Sequence, residues 1–489
     1  MTTPPPWLEG LPDAAMMRAG DAWAIEEQGI PSLELMERAG VGLARVVARV
    51  APAGPVAVVC GKGNNGGDGL VAALLLRAAF REVRVLLLSD DLEGDPAVNL
   101  EQLEGRHERF SPEALEGAAV IVDAVLGTGF EGAPREPTLS AIKAMNAVGA
   151  PIVAADVPSG VDASTGEVAG VAVRAAATAT FAAAKPGLWI EPGKTHAGAV
   201  EVIDIGIPDG APYTPEVWLI REDVLAAIPP RARNSTKFDS GHVLICGGSP
   251  GLTGAPCLAA EAAMRAGAGY VTACVPEAVS AVVETRLLEV MTAALDADEV
   301  IERSERGGAM VVGPGMGRLA DAEALARELA RRAEAPLVLD ADGLNAHAGR
   351  LEELAGRRAC TVLTPHEGEL GRLLEIDSAA IKARRLHHAR EAARQAGAIV
   401  VLKGDDTLVA EPGGRVAVNP GATPALATAG TGDVLSGVLG ALLAKGMDPF
   451  AAACAAVFLH ARAGRLAAER VGAEGVIASD VIAALPAAR

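Results

Sequence analysis

The sequence predicts two α/β domains, each a parallel sheet covered by helices on both faces. Three observations predict this. Short β-branched runs alternate with helix-length apolar runs, the pattern of a three-layer sandwich. A length of 489 residues exceeds one ordinary core. The alternation also stops across Ile207 to Pro215, where Pro208, Gly210, Pro212 and Pro215 cluster as in a linker, and it restarts at Gly241. The domains are therefore read as residues 1–216 and 217–489.

In the first domain, residues 30–50 read as a helix entered at Pro31-Ser32. Residues 56–60 read as a strand and 70–80 as a helix, and 83–88, 120–125 and 151–155 as further strands. Near-continuous apolar strands of this kind belong to a parallel sheet buried on both faces. In the second domain, strands are expected over 242–246, 270–275, 309–312, 337–339, 361–363 and 399–402. Helices are expected over 255–267, 320–333, 381–395 and 433–443.

Composition narrows the function. Aromatic residues are only 3%, so Ala, Val, Leu and Ile must build the core. A net charge of -19, with no Lys/Arg run, argues against a nucleic-acid surface. The six cysteines form no CxxC pair and read as reduced thiols of a cytoplasmic protein. Met1-Thr2-Thr3-Pro4-Pro5-Pro6 has neither a basic nor an apolar leader region, so no signal peptide is expected. The most apolar stretch, 434–460, is interrupted by Lys445, Asp448 and Pro449 and reads as two buried helices, not a membrane span.

Two glycine-rich turns carry the chemistry. Gly61-Lys62-Gly63-Asn64-Asn65-Gly66-Gly67-Asp68-Gly69 follows a strand and opens a helix, which fits G-x-G-x-x-G. No Lys-Ser/Thr pair follows, so it is not a Walker A loop. Its two carboxamides and an acid exceed what a dinucleotide turn needs. Asp123 and Asp156 end later strands, and Ser159 follows closely. In a parallel sheet Asn65, Asp123, Asp156 and Ser159 can meet at one edge, and an oxygen-rich set suits a hard cation. Asp156 is the candidate acid/base.

The second turn is Ala429-Gly430-Thr431-Gly432-Asp433. Glycines admit a phosphoryl group to a helix N-terminus, and Asp433 can take a proton from an attacking hydroxyl. Gly313 to Gly317, Asp340 to Asn345, Thr364 to Glu369 and Lys403 to Thr407 each follow a strand; His366 is read as a pocket residue, and Lys403 either meets nucleotide phosphates or is a solvated lysine in a turn.

The series LMERAG (35–40), GNNGGDG, VDAVLGTG, DVPSGVDASTG and Lys185-Pro186-Gly187 resembles the NAD(P)H-hydrate epimerase family over residues 12–216. That resemblance implies a Rossmann-like fold. It implies a hydrate site of Asn64, Asn65, Gly66, Gly67 and Asp68, of Gly127, Thr128, Gly129, Phe130, Glu131, Gly132 and Ala133, and of Asp156. It also implies a potassium ion at Asn65, Asp123 and Ser159. Phe80 stands where the family often has glycine. From 241 onward, VVGPGMG, LDADGLNA, LTPHEGEL, VLKGDDTLVA and ATAGTGDVLSG resemble the ribokinase-like ADP/ATP-dependent NAD(P)H-hydrate dehydratases. Here the resemblance implies that Ala255, Gly315, His366 and Asp433 contact the hydrate. It implies that Lys403, Gly404, Asp405, Asp406, Thr407, Thr423, Gly430, Thr431 and Gly432 contact ADP or ATP, with magnesium. Thr236-Lys237-Phe238 and Thr423 depart from the usual His-Lys-Gly and Asn.

The expected protein is a cytoplasmic, homo-oligomeric repair enzyme for the R and S hydrates of NADH and NADPH (NADHX and NADPHX), with no nucleic-acid or membrane partner. A small-molecule kinase fused to a Rossmann dehydrogenase, a non-catalytic nucleotide sensor and a protein with one active domain stay open as alternatives.

Overall fold

The computed structural model describes residues 4–305 and 308–489. The chain divides into two compact units: one spans Gly10–Val217, the other is Trp218–Arg489 together with the segment ending at Glu9. Residues 4–9, expected in the first domain, thus cluster with the second. The strand Leu8–Leu11 is the reason: it lies on the edge of the second unit's sheet beside Val217–Ile220. Arg221 donates its N–H to the Trp7 carbonyl at 2.8 Å.

The first unit is built on a seven-stranded sheet. Its strands run Glu108–Arg109, Val83–Leu87, Val56–Cys60, Val120–Ala124, Ile152–Ala155, Ala177–Phe181 and Ala199–Ile203 across the sheet. Every neighbouring pair is parallel. The chain leaves Val56–Cys60 to one side and returns on the other, so the order reverses between that strand and Val120–Ala124. Such a switch point opens a crevice at the strand C-termini. The last two strands were not anticipated, because Ala177–Phe181 is a short Ala/Thr run and Ala199–Ile203 is a part-exposed edge.

The second unit holds an eleven-stranded sheet. His242–Cys246 lies between Tyr270–Val275 and Ala309–Val312, which is again a reversal of order. Leu337–Leu339, Thr361–Leu363 and Ile399–Leu402 continue in parallel, and Leu408–Ala410 and Val416–Val418 finish antiparallel. Those last two strands have three residues each, too short for a periodic signal. The core is aliphatic, and small residues let its helices close up. A Cβ at Gly437 would stand 2.0 Å from the Ala259 carbonyl oxygen, so glycine there lets the helix Thr431–Ala444 touch Gly254–Arg265.

Several boundaries move. The helix expected over 70–80 is Asn64–Ala78, so the NNGGD segment is itself a first helical turn. The helix expected over 381–395 breaks at Arg384 into Ser378–Ala383 and Arg385–Ala396. The apolar stretch 434–460 divides between Thr431–Ala444 and Pro449–Val471, separated at Lys445–Asp448. The second of these is long and apolar enough to cross a membrane, yet 78% of its apolar window is buried inside the fold.

Phe80 follows the helix Asn64–Ala78 at φ 59 and is 98% exposed. Its N–H reaches the Arg77 carbonyl, and the Arg81 N–H reaches the Leu76 carbonyl. That pattern is a Schellman cap, whose left-handed position favours glycine. Phe80→Gly relieves that strain and removes no packing. We expect it to stabilise the first unit by about 0.5–1 kcal/mol, read as a higher urea midpoint for that unit.

Candidate active sites

At the switch point of the first unit, loop backbone meets loop backbone. A Cβ at Gly61 would stand 2.1 Å from the Val125 carbonyl oxygen, and one at Gly66 would stand 2.0 Å from the Gly61 carbonyl oxygen. The approach lets Asn65 Nδ2 donate to the Leu126 carbonyl at 2.9 Å. Ser159 Oγ accepts from the Leu126 N–H at 2.9 Å and donates to Asp123 Oδ1 at 2.6 Å. Ser159 N–H donates to Asp123 Oδ2 at 2.8 Å. Asn65, Asp123 and Ser159 are therefore joined through one loop. Burial pushes the Asp123 carboxyl up to about 6, although Ser159 donates to it twice. Asn65 Oδ1 is buried and has no hydrogen-bond partner among the described residues.

Beside them lies a cavity of about 970 Å³. Asn64, Asn65, Asp68, Gly127, Thr128, Gly129, Phe130, Glu131 and Asp156 line it. Gly66, Gly67, Gly132 and Ala133 do not. Gly66 and Gly67 face inward instead: a Cβ at Gly67 would stand 2.5 Å from Met36 Sδ. Their smallness serves packing.

Asp156 sits at φ 62 just past its strand, a strained position for a non-glycine residue. Its Oδ1 accepts from Lys185 Nζ at 2.5 Å and from the Phe181 N–H at 3.3 Å. Lys185 is fully buried, and its other two donors meet Thr180 Oγ1 and the Phe181 carbonyl, each at 2.8 Å. Asp68 is pushed well above the usual carboxylate range by burial, then by the charges of Asp156 and Asp21. Sequence reading gave no role to Lys185 or Asp21. The available signal for Asp21 is an acid beside the buried Met17, Gly20 and Ala24 of one helix face.

In the second unit the same layout gathers carboxylates around a lysine. Asp340, buried at the end of its strand, accepts from Ser436 Oγ at 2.6 Å, Thr364 Oγ1 at 2.8 Å and Lys403 Nζ at 3.1 Å. Glu369 lies 3.6 Å from the same ammonium. Burial opposes the Lys403 charge, but Asp340 and Glu369 outweigh it and raise its pKa. Asp433 lies in the first turn of Thr431–Ala444, behind Gly430 at φ 88. Burial, reinforced by the Asp340 charge, pushes its carboxyl up to about 7. A Cβ at Gly432 would stand 3.5 Å from Lys403 Nζ, so the ammonium flanks the turn. Gly315 takes φ 63 within close reach of Ala255. His366 caps the helix Glu367–Leu374, its Nδ1 accepting from the Gly368 and Glu369 N–H groups, and burial lowers its pKa. The ring is thereby fixed as the neutral tautomer with its proton on Nε2.

Not every expected nucleotide residue is available. Asp406 is fully buried and paired with the buried Arg385, at 2.9 Å to Nε and 2.8 Å to Nη2. Arg385 also reaches Glu367 at 2.7 Å and the carbonyls of Leu402 and Lys403. Asp406 thus braces the Lys403 loop from beneath. Thr407 closes that loop by donating Oγ1 to the Gly404 carbonyl at 2.7 Å, and Asp405, which is exposed, accepts from the Ala422 N–H. Thr423 caps the short turn Pro424–Leu426. Thr431 Oγ1 points back to the Leu426 and Thr428 carbonyls, so its side chain shapes the turn.

A family model described as NAD(P)H-hydrate dehydratase matches residues 243–487, and one described as YjeF-related protein N-terminus matches residues 32–187. A bifunctional NAD(P)H-hydrate repair enzyme of Salinibacter ruber is 43% identical over 97% of this chain and 95% of its own length. The chain belongs to the bifunctional NAD(P)H-hydrate repair enzymes. The Moorella thermoacetica member is 40% identical over 97% of this chain and 96% of its own. Among solved structures, the ADP/ATP-dependent NAD(P)H-hydrate dehydratase of Bacillus subtilis, co-crystallised with ATP/Mg2+, superposes with a TM-score of 0.50 at 30% identity. It covers 55% of this chain and 95% of that one. The family assignment joins the two sites in one repair enzyme, and the kinase–dehydrogenase fusion and the nucleotide sensor fall away.

The Arg385–Asp406 pair gives a direct test of the brace. Asp406→Ala leaves the buried Arg385 with the part-exposed Glu367 as its remaining carboxylate and its Nε without a partner, and should cost about 1–3 kcal/mol, measured by urea unfolding of the second unit.

Proposed function

We propose that the first unit interconverts the R and S hydrates of NADH and NADPH, and that the second dehydrates the S form at the expense of ADP or ATP. One observation carries the second assignment: Asp433 stands in a helical first turn behind Gly430-Thr431-Gly432, with Lys403 alongside. The C6 hydroxyl of the hydrate is a poor leaving group. Asp433 takes its proton as the oxygen attacks the terminal phosphorus, and the nucleotide leaves with one phosphate fewer. The first-turn N–H groups face the charge that develops on the phosphoryl oxygens. Loss of the new C6 phosphate with the C5 proton then restores NAD(P)H. Ala255, Gly315 and His366 are read as hydrate contacts. Lys403, Gly404, Asp405, Thr407, Thr423 and Gly430 to Gly432 are read as the nucleotide side, with magnesium on the phosphates.

In the first unit, Asp156 is the acid/base candidate, and Asn64, Asn65, Asp68, Asp156 and the Gly127–Glu131 loop receive the hydrate. A potassium ion fits Asn65 Oδ1, the Asp123 carboxylate and Ser159 Oγ. The unpartnered, buried Asn65 Oδ1 supports this, and one carboxylate among neutral oxygens suits a monovalent ion better than magnesium. Bound there, the ion would fix the NNGGD turn against the Leu126 loop. We extend the reading to a cytoplasmic homo-oligomer acting on small molecules, with no nucleic-acid or membrane partner; its six cysteines are all free.

The decisive experiment incubates the pure protein with mixed R and S NADH hydrate, with and without ADP or ATP, and follows absorbance of the reduced nicotinamide. Asp433→Asn should lower dehydration by about 100- to 10,000-fold and leave epimerisation intact; near-wild-type turnover of the S hydrate would defeat the assignment. The base works ionised and its carboxyl titrates at about 7, so dehydration should fall as pH drops through that value. Asp123→Ala should weaken hydrate binding by the first unit and abolish any gain from potassium over tetramethylammonium. Unchanged epimerisation in both salts would remove the ion from the reading.

A further inference from the structure

The cavity of the first unit holds more carboxyl groups than binding one hydrate explains. Asp21, Asp68 and Asp156 all line it, on three different elements: the helix Ala14–Glu26, the first turn of Asn64–Ala78, and the loop after Ile152–Ala155. Arg18, Lys62 and Lys185 are the cations that line it, and the buried one, Lys185, has its three donors already committed to Asp156, Thr180 and Phe181. Asp21 is half-buried on the apolar side of its helix. Among the described residues no side-chain hydrogen bond or ion pair engages it. A half-buried carboxyl facing this cavity beside two other acids is a candidate for chemistry.

Resting on the epimerase reading, we propose that Asp21 is a positioning residue of that reaction, the carboxyl that returns a proton from Asp156 to Asp68 after each turnover. In the forward step, Asp68 protonates the C6 hydroxyl, the C6–O bond breaks and water leaves. The N1 lone pair becomes the second bond of a C6–N1 iminium cation. Water then adds to C6 from the other face, N1 recovers its lone pair, and the released proton goes to Asp156, whose Oδ1 Lys185 holds in place. No oxidant or reductant is consumed. The centre is left with its proton on Asp156 instead of Asp68, and Asp21 restores the starting state. The negative excess of the cavity also suits a cationic intermediate. The charged or titratable groups acting on Asp21 are Asp156, Asp68, Lys185 and Tyr213, and burial with the Asp156 charge pushes its carboxyl up to about 6, where it can both take and give a proton.

The test uses the full chain and purified R hydrate. Asp21→Asn should lower kcat for epimerisation by about 10-fold or more and leave KM within about twofold. It should remove one limb of the pH profile, and dehydration of S hydrate with ADP should be unchanged. Asp21→Glu should recover rate with a displaced profile. In 18O-labelled water, the wild-type S product should carry the label at C6. Retention of the original oxygen would overturn the step. An Asp21→Asn enzyme with wild-type kcat and pH profile would overturn the role of Asp21, as would equal losses in both variants accompanied by a lower melting temperature. A wild-type protein that dehydrates S hydrate but never converts R to S would instead overturn the epimerase reading on which the proposal stands.

Discussion

Both sites depend on backbone touching backbone with no side chain between. Gly61 meets Val125 in the first unit, and in the second Gly247 meets Pro314, where a Cβ would stand 2.1 Å from a carbonyl oxygen in each case. The contacts occur at the places where strand order reverses. There the two loops that bound the crevice leave adjacent strands and must share the space above them. A single methyl group at either position would drive the loops apart. In the first unit Asn65 would then lose its hold on Leu126, and the link from Asn65 through Ser159 to Asp123 would open.

The two sites solve the same electrostatic problem differently. Each puts one lysine among several acids that have been taken out of water. Lys185 is saturated by fixed partners, Asp156 among them, and has no donor left for a ligand. Lys403 has Asp340 and Glu369 as partners and still flanks the glycine turn, where an incoming phosphate adds another negative charge. The first arrangement suits proton traffic in a closed set of groups. The second suits an anionic co-substrate that comes and goes.

The parallel sheets were legible because their central strands are short, apolar and bounded by glycine, and the sites were legible because acids and asparagines end those strands. Asp123 and Asp156 were read in this way, Lys403 from the polar turn after its strand, and Asp433 from the glycine turn that opens a helix. What escaped is physically consistent. Edge strands such as Ala199–Ile203 carry mixed residues because half their surface meets water, and three-residue strands hold no period. Asp406 looked like a ligand because it stands in a polar loop. Its partner Arg385 lies 21 positions earlier in a helix, and nothing local announces that pairing. Asp21 was invisible for a similar reason: the groups that give it meaning arrive from Asp68 and Asp156, far along the chain.

The edge strand Leu8–Leu11 has a consequence for how the protein can be divided. The strand Leu8–Leu11 lies in the second unit's sheet, the first unit follows it, and the chain returns beside that strand at Val217–Ile220. The first unit is therefore an insertion held at both ends, and a cut near residue 217 does not separate two finished modules. It strips a border from the larger sheet and leaves Val217–Ile220, a buried apolar strand, with an open row of N–H and C=O groups. Such a row invites pairing with another chain. With Leu8–Leu11 in place that apolar strand is covered, and the border of the sheet passes to a strand whose middle residues, Glu9 and Gly10, are part-exposed.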